Sequence, residues 1–257
     1  MANKLWDKGF KEDERIDAFT VGNDRELDHE LAPYDIMGTM AHITMLESVG
    51  LLSKEDLDKL LPVLKELYSS ACKGELYVEE DVEDIHSQIE LMLTRRLGDV
   101  GKKVHTGRSR NDQVLVDLKL YARAEIENTV HKVESLFNTL QEASERYKDV
   151  LIPGYTHLQV AMPSSFGLWF GAYAESLCDD LSIMKAAWDV VNLNPLGSAA
   201  GYGSSAPLNR TLTTVLLGFE DLDYNSVYAQ MTRGKMERAV AFAYSSVAET
   251  VGRLAMD

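Results

Sequence analysis

Residues 105–113, HTGRSRNDQ, and residues 154–159, GYTHLQ, gather arginine, histidine, hydroxyls and side-chain amides into two short runs. Each run lies beside a long helical pattern, where such groups can converge on a small polyanion. Ser109 precedes apolar residues at Val114, Leu118, Tyr121, Val130, Val133, Phe137 and Leu140. It therefore reads as a helix N-cap, with Asp112 as the acid of a capping box. Arg110 and Asn111 then occupy the first turn, beside backbone N–H groups that lack an intrahelical acceptor and at the positive end of the helix dipole. That is a corner for a carboxylate or phosphate. Capping alone needs only the serine and the acid, with Arg108 and Arg110 solvated. It gives no reason for Arg110-Asn111.

The second run lies between Pro153 and Pro163, which interrupt helices and mark an ordered connection. His157 then sits in a turn beside Thr156 and Gln159, within reach of a pocket. A lone loop histidine is commonly a structural or surface group. Its chemical use is that imidazole changes protonation near neutral pH, while a neighbouring hydroxyl can orient it or bind a substrate oxygen. The local sequence leaves both readings open.

The elements that must position these runs read as helices. Ser53 opens one with Asp56 three residues later and Leu57, Leu60, Leu61, Leu64 and Leu67 on one face; it ends near Gly74, with Pro62 expected to kink it. Ile85, Ile89, Met92, Leu93 and Leu97 form another that stops at Gly98. A third starts at Ser164 and carries Phe166, Phe170, Tyr173, Leu177, Leu181, Met184, Trp188 and Val191. The last begins near Asn225-Ser226, with Met231, Met236, Val240, Ala243, Val247, Val251 and Leu254. Residues 109–149 hold no proline or glycine, so an unbroken helix there extends about 60 Å. So long an element needs partners along its apolar face. The aromatic and methionine stripes are read as that packing rather than as a cofactor box. Period-two strands with paired turn signals are not evident. The expected fold is all-α, with a small helical domain over residues 1–105 and long helices of an incomplete central bundle over residues 106–257. The final stripe runs to Asp257 without a stop signal, which suggests a chain shorter than its complete bundle.

With 45% hydrophobic and 26% charged residues the chain can bury a core. No apolar run approaches the roughly 18 residues of a membrane span, so no membrane partner is expected. No charged-then-apolar leader is evident, and a cytoplasmic location follows, with the sequon at Asn209 unmodified. Cys72 and Cys178 read as small packing residues in helices, without a disulfide framework or a CxxC metal site. A formal net charge of -15 argues against nucleic acid. It also repels a dianion at long range, although Lys102, Lys103, Arg108 and Arg110 cluster about the first run and can oppose it locally. No glycine-rich phosphate loop, internal repeat or low-complexity segment is present.

HTGRSRNDQ and GYTHLQ together resemble the first two signature regions of the argininosuccinate lyases, within the fumarase and aspartase superfamily. Lys4-Leu5-Trp6, Asp84-Ile85-His86 and LNPLGS at 193–198 resemble the same family, so the likeness runs in order along nearly the whole chain. The resemblance implies elimination of argininosuccinate, a small dicarboxylate, to arginine and fumarate without metal or organic cofactor. It also implies a homo-oligomer, a tetramer in the complete family members, whose subunits jointly complete each active site. Asn111 matches the asparagine that binds a substrate carboxylate, with Ser109 and Arg110 lining that corner. Thr156 matches a substrate-binding threonine and His157 the histidine assigned to proton transfer. His86 matches a histidine near the pocket wall, although by itself it reads first as a polar helix residue.

The family's N-terminal substrate-binding serine has no clean counterpart in residues 19–28. Its third signature, a GSSxMPxKxNP loop with a catalytic serine and a lysine, is missing. GSSAPLN at 203–209 resembles only its opening, and Ser204 and Ser205 read as turn residues. Without that loop the chain alone is expected to be inactive. Two other readings stand beside this one: another fumarate-releasing lyase such as adenylosuccinate lyase, and a non-catalytic structural protein of the delta-crystallin kind.

Overall fold

The computed structural model describes residues 14–79 and 82–257; the Lys4-Leu5-Trp6 motif lies outside the described residues. The chain divides into two compact units. One comprises residues through Tyr121 together with Leu193–Met231, the other Ala122–Asn192 with Thr232–Asp257.

In the first unit, α1 (Glu14–Val21) and α2 (Asp24–Leu27) lead through a 3-10 turn at Asp28–Leu31 into α3 (Ala32–Ser48), α4 (Lys54–Cys72), α5 (Ile85–Leu97) and α6 (Asp99–Lys102). Local chemistry sets the ends. Ser53 Oγ accepts the Asp56 N–H at 3.1 Å and caps α4, and Asp84 Oδ1 accepts the Ser87 N–H at 2.7 Å and caps α5. Gly98, at φ 61°, closes α5 in a conformation that β-carbons resist. Ile36, Ile43, Leu46, Leu60, Leu64, Leu67, Ile89 and Leu93 bury the inner faces of α3, α4 and α5 in one core. Gly101 allows α6 to press on α5, since a β-carbon there would lie 2.5 Å from the carbonyl carbon of Leu93.

The later segment of this unit holds β3 (Leu193–Asn194) in parallel with β4 (Asp221–Leu222), α9 (Arg210–Leu216) and α10 (Ser226–Met231). It is fixed to the start of α7 (Arg110–Arg146). Val116 and Leu120 pack with Leu196, Leu217 and Phe219, and buried Lys119 pairs with Asp223 at 2.7 Å while donating to the Leu193 carbonyl at 2.9 Å.

α7 is a single helix of 37 residues, about 55 Å long at 1.5 Å per residue. In the second unit its later part is joined by a hairpin of β1 (Leu151–Thr156) and β2 (Gln159–Ser165), α8 (Phe166–Val191) and α11 (Lys235–Met256). Val133, Leu140, Ala174 and Leu177 form the core here, with Val247 and Leu254 against it. Gly167 brings α8 onto the end of α7, where a β-carbon would meet Lys148 Cα at 2.5 Å. Polar contacts join α8 to α11: Ser246 Oγ donates to Asp180 at 2.5 Å, and Ser176 and Thr250 hydroxyls meet at 3.1 Å.

The all-α architecture holds, with three departures from expectation. The connection after α7 is an antiparallel hairpin, hidden in the sequence because Pro153 opposes Pro163 and a bulge follows at Gly154/Tyr155. Two residues without N–H groups cannot ladder, and the bulge breaks period-two alternation. The last helical pattern is two helices, because Gly234 at φ 85° interrupts it between α10 and α11. Cys72 and Cys178 are exposed rather than packed.

Candidate active site

The corner at the start of α7 is built from its cap outward. Ser109 Oγ accepts the Asn111 N–H at 3.2 Å, and Asp112 Oδ1 accepts the Ser109 N–H at 2.9 Å. This is a reciprocal cap of the expected kind. Asp112 does more: it is fully buried, and its Oδ2 accepts the N–H groups of Gly197 at 2.8 Å and Ala199 at 3.0 Å. The LNPLGS segment is thereby fastened to the first turn of α7. Asn194 completes that fastening by donating to the hydroxyls of Thr213 at 3.0 Å and Thr214 at 2.9 Å. Gly197, at φ 88°, has the Arg210 side chain stacked where a β-carbon would stand.

Arg110 is half-buried and turned to the cap of α5, with Nη2 donating to Ser87 Oγ at 3.2 Å and Nη1 lying 3.7 Å from Asp84. Asn111 is half-buried in the same first turn. The structure thus brings Arg110, beside Ser109 and Asn111 in the first turn of α7, to the N-terminus of the helix bearing His86. Arg108 is not solvated; it is buried and donates to Thr39 Oγ1 at 3.0 Å. Lys102 and Lys103 do not add to a positive corner, because both are exposed and tied to Asp99 and Asp56. The long-range potential there is also shaped by acids. Asp28 is pushed up to about 6 by burial, opposed by the Ile85 N–H it accepts, and further by Asp24, Asp84 and Asp35.

His86 is not an ordinary polar helix residue. It is 4% exposed, and its Nδ1 lies 3.0 Å from Asp35 Oδ1 and 3.3 Å from Asp117 Oδ2. Asp35, Thr39 and His42 form a buried polar stripe on α3, and Gln113 and Asp117 form another on α7. Gln113 Nε2 donates to Asp35 Oδ1. His42 Nε2–H donates to the Thr106 carbonyl at 2.8 Å. Burial, and after it the Arg108 charge, pushes His42 down to about 3, so it is neutral. None of Asp35, Thr39, His42 and Asp117 was singled out by the sequence motifs. The signal was present as polar residues at i, i+4 and i+7 on otherwise apolar helices. Among the described residues, Asp35, His86 and Asp117 are the group whose ligand atoms, all within 4.8 Å of one another, have the chemistry to hold a metal ion.

Thr156 and His157 belong to the second unit, where they form the hairpin tip and are exposed. Thr156 pairs with Gln159, and the two residues between them, His157 at φ 51° and Leu158 at φ 60°, both adopt left-handed backbone. Two-residue turns of this type normally carry asparagine or glycine. A histidine held there costs about 1–2 kcal/mol, and such strain concentrates at functional positions. Ser204 and Ser205 are exposed loop residues, Ser204 Oγ accepting the Ala206 N–H at 3.1 Å.

Comparison with known proteins places this geometry. The chain is 66% identical over all 257 of its residues to an argininosuccinate lyase of Parabacteroides distasonis, of which it covers 58%. It is 37% identical to one from Thermotoga neapolitana, covering 65% of that protein. The chain therefore spans somewhat less than two thirds of the length of these relatives. Among solved structures, an EDDS lyase variant with bound fumarate superposes with a TM-score of 0.79 at 28% identity, over 97% of this chain and 49% of that one. A fumarate lyase:delta crystallin from Brucella melitensis bound to cobalt shares the fold, at a TM-score of 0.71 and 17% identity over 87% of this chain and 55% of its own. The model of the Lyase family matches residues 8–257, and the chain belongs to that family.

Proposed function

We propose that the protein is an argininosuccinate lyase, releasing fumarate from argininosuccinate and leaving arginine, as a cytoplasmic enzyme of arginine biosynthesis. The observation that carries this is the 66% identity to an argininosuccinate lyase across every residue of the chain. The aligned span includes the α7 corner and the hairpin tip.

The reaction removes a weakly acidic C–H proton beside a carboxylate. The freed electron pair forms the fumarate double bond as the C–N bond breaks, and the departing guanidino nitrogen takes up a proton. Negative charge builds on the carboxylate next to the deprotonated carbon, so donors aimed there stabilise the transition state more than the substrate. In this reading Asn111, Ser109 and Arg110 supply such donors at the helix N-terminus, and Thr156 binds a second substrate oxygen. His157 takes part in proton transfer. His86 contributes to the pocket wall. The substrate is a dicarboxylate, and a homo-oligomer, tetrameric in this reading, completes each site from several subunits. No step in this scheme calls on a metal or an organic cofactor.

The test offers the whole protein argininosuccinate and adenylosuccinate in parallel and follows fumarate absorbance. Fumarate from argininosuccinate alone is expected; release from adenylosuccinate instead would assign a different lyase, and release from neither would return the protein to a structural role.

A further inference from the structure

The three-residue cluster beneath the α7 corner poses an accounting problem. Asp117 is wholly buried, and neither of its carboxyl oxygens, nor Oδ2 of buried Asp35, has a hydrogen-bond donor. Asp35 Oδ1, by contrast, takes both Gln113 Nε2 and His86 Nδ1. Two ionised carboxylates side by side cannot supply each other with a donor, and leaving three such oxygens bare in a dry interior is costly. One proton or one cation would resolve it. Arg108 and Arg110 already act on Asp117 with positive charge, so a divalent ion would add two more positive charges beside two guanidiniums. A single proton adds one, and supplies the missing O–H donor between the carboxyls.

We infer that Asp35 and Asp117 share one proton and that Asp35 accepts the Nδ1–H of His86, so that His86 offers Nε2 as a hydrogen-bond acceptor for an N–H donor of the ligand, a guanidinium or an amine. Burial, and after it the charge of Asp35, raises Asp117 well above the usual carboxylate range against the pull of Arg108, in keeping with the proton residing chiefly on Asp117. Asp35 then accepts from Gln113, His86 and the Asp117 hydroxyl. A carboxylate that takes the proton of one ring nitrogen fixes the tautomer and makes the other nitrogen an acceptor. His86 Nε2 has no partner among the described residues. An acceptor there repels a carboxylate and attracts N–H. Within the α7 corner the anionic end of a ligand thus falls to Ser109, Arg110 and Asn111, and its nitrogenous end to His86. Asp35 and Asp117 act as positioning residues. The inference deepens the proposed reading of this corner as a substrate site.

Nitrogen-15 NMR of the imidazoles, six in this chain, tests it without turnover, with the His86 signals assigned by their loss in His86→Gln. At neutral pH His86 is expected as a neutral ring with its proton on Nδ1. Asp117→Asn, which keeps a donor for Asp35, leaves that tautomer in place, whereas Asp35→Asn mixes the two tautomers. An imidazolium, a proton on Nε2, or one-to-one binding of added Zn2+ at His86 overturns the shared proton. Arginine and succinate serve as separate ligand probes. Arginine is expected to move the Nε2 resonance and succinate to leave it; the reverse, or no response to arginine, removes the assignment of ligand class. Because the tautomer is read in the resting protein, it can hold while the proposed lyase reaction fails, and the reaction can hold while the tautomer fails.

Discussion

The Asp112 carboxylate accepts the backbone N–H of Gly197 at 2.8 Å, joining the first turn of α7 to a loop 85 residues further along the chain. With the Ser109 and Ala199 N–H groups, it satisfies three backbone donors from a fully buried position. Asp112 is therefore a structural fastener of the corner as well as a helix cap.

Removing that fastener leaves three partly buried backbone donors unmet. Asp112→Ala is expected to lower stability by on the order of 3 kcal/mol, read as a drop in the urea midpoint. A change within experimental scatter would show that water replaces the carboxylate without cost.

The hairpin tip makes the opposite prediction. Leu158 is 99% exposed and sits at φ 60°, so Leu158→Gly loses no packing and relieves a disfavoured backbone. Thermal unfolding is expected to show a gain of up to about 1 kcal/mol. Destabilisation would mean that the leucine makes contacts that stabilise the tip.

Acid should weaken the fold through His42. Its folded value of about 3 lies below its ordinary 6.5, so the unfolded chain binds the proton first, and stability falls as pH drops from about 6.5 toward 3. Asp28 works the other way: raised to about 6 in the fold, it favours the folded state at low pH and loses that contribution as pH rises from about 4 to 6. Urea melts of His42→Gln at pH 7 and pH 4 should show a smaller acid loss than the parent. An unchanged acid loss would contradict the assignment.

Asn111→Ala in the whole protein should reduce kcat/KM for argininosuccinate by about 1 to 3 kcal/mol of transition-state binding. Unchanged efficiency would take Asn111 out of the site.

What was legible in the sequence follows from the range of the signals. The cap at Ser109–Asp112, the helices after Ser53 and Asp84, and the length of α7 depend on neighbours a few residues apart, and each appears where spacing put it. The hairpin at 151–165 was not legible, because its turn is His157-Leu158 rather than glycine or asparagine, and its central pair is Pro153 with Pro163. The break at Gly234 was masked by apolar residues that continue the helical period on both sides. For the proposed site, Ser109, Arg110 and Asn111 are suggested by their motif. Asp35 and Asp117 are not, since their significance arises only when α3, α5 and α7 bring them to His86 from positions 35, 86 and 117. Arg108, open in the sequence between a solvated cation and part of a positive cluster, is buried and donates to Thr39 on α3.

Fumarate release by the whole protein carrying His157→Asn, measured against the unaltered protein with argininosuccinate, tests the central claim most directly. The account predicts release by the parent and a loss of turnover of about a hundredfold or more in the variant, the scale of a missing proton-transfer group. Turnover at the parent rate in the variant, or no fumarate from the parent, contradicts it.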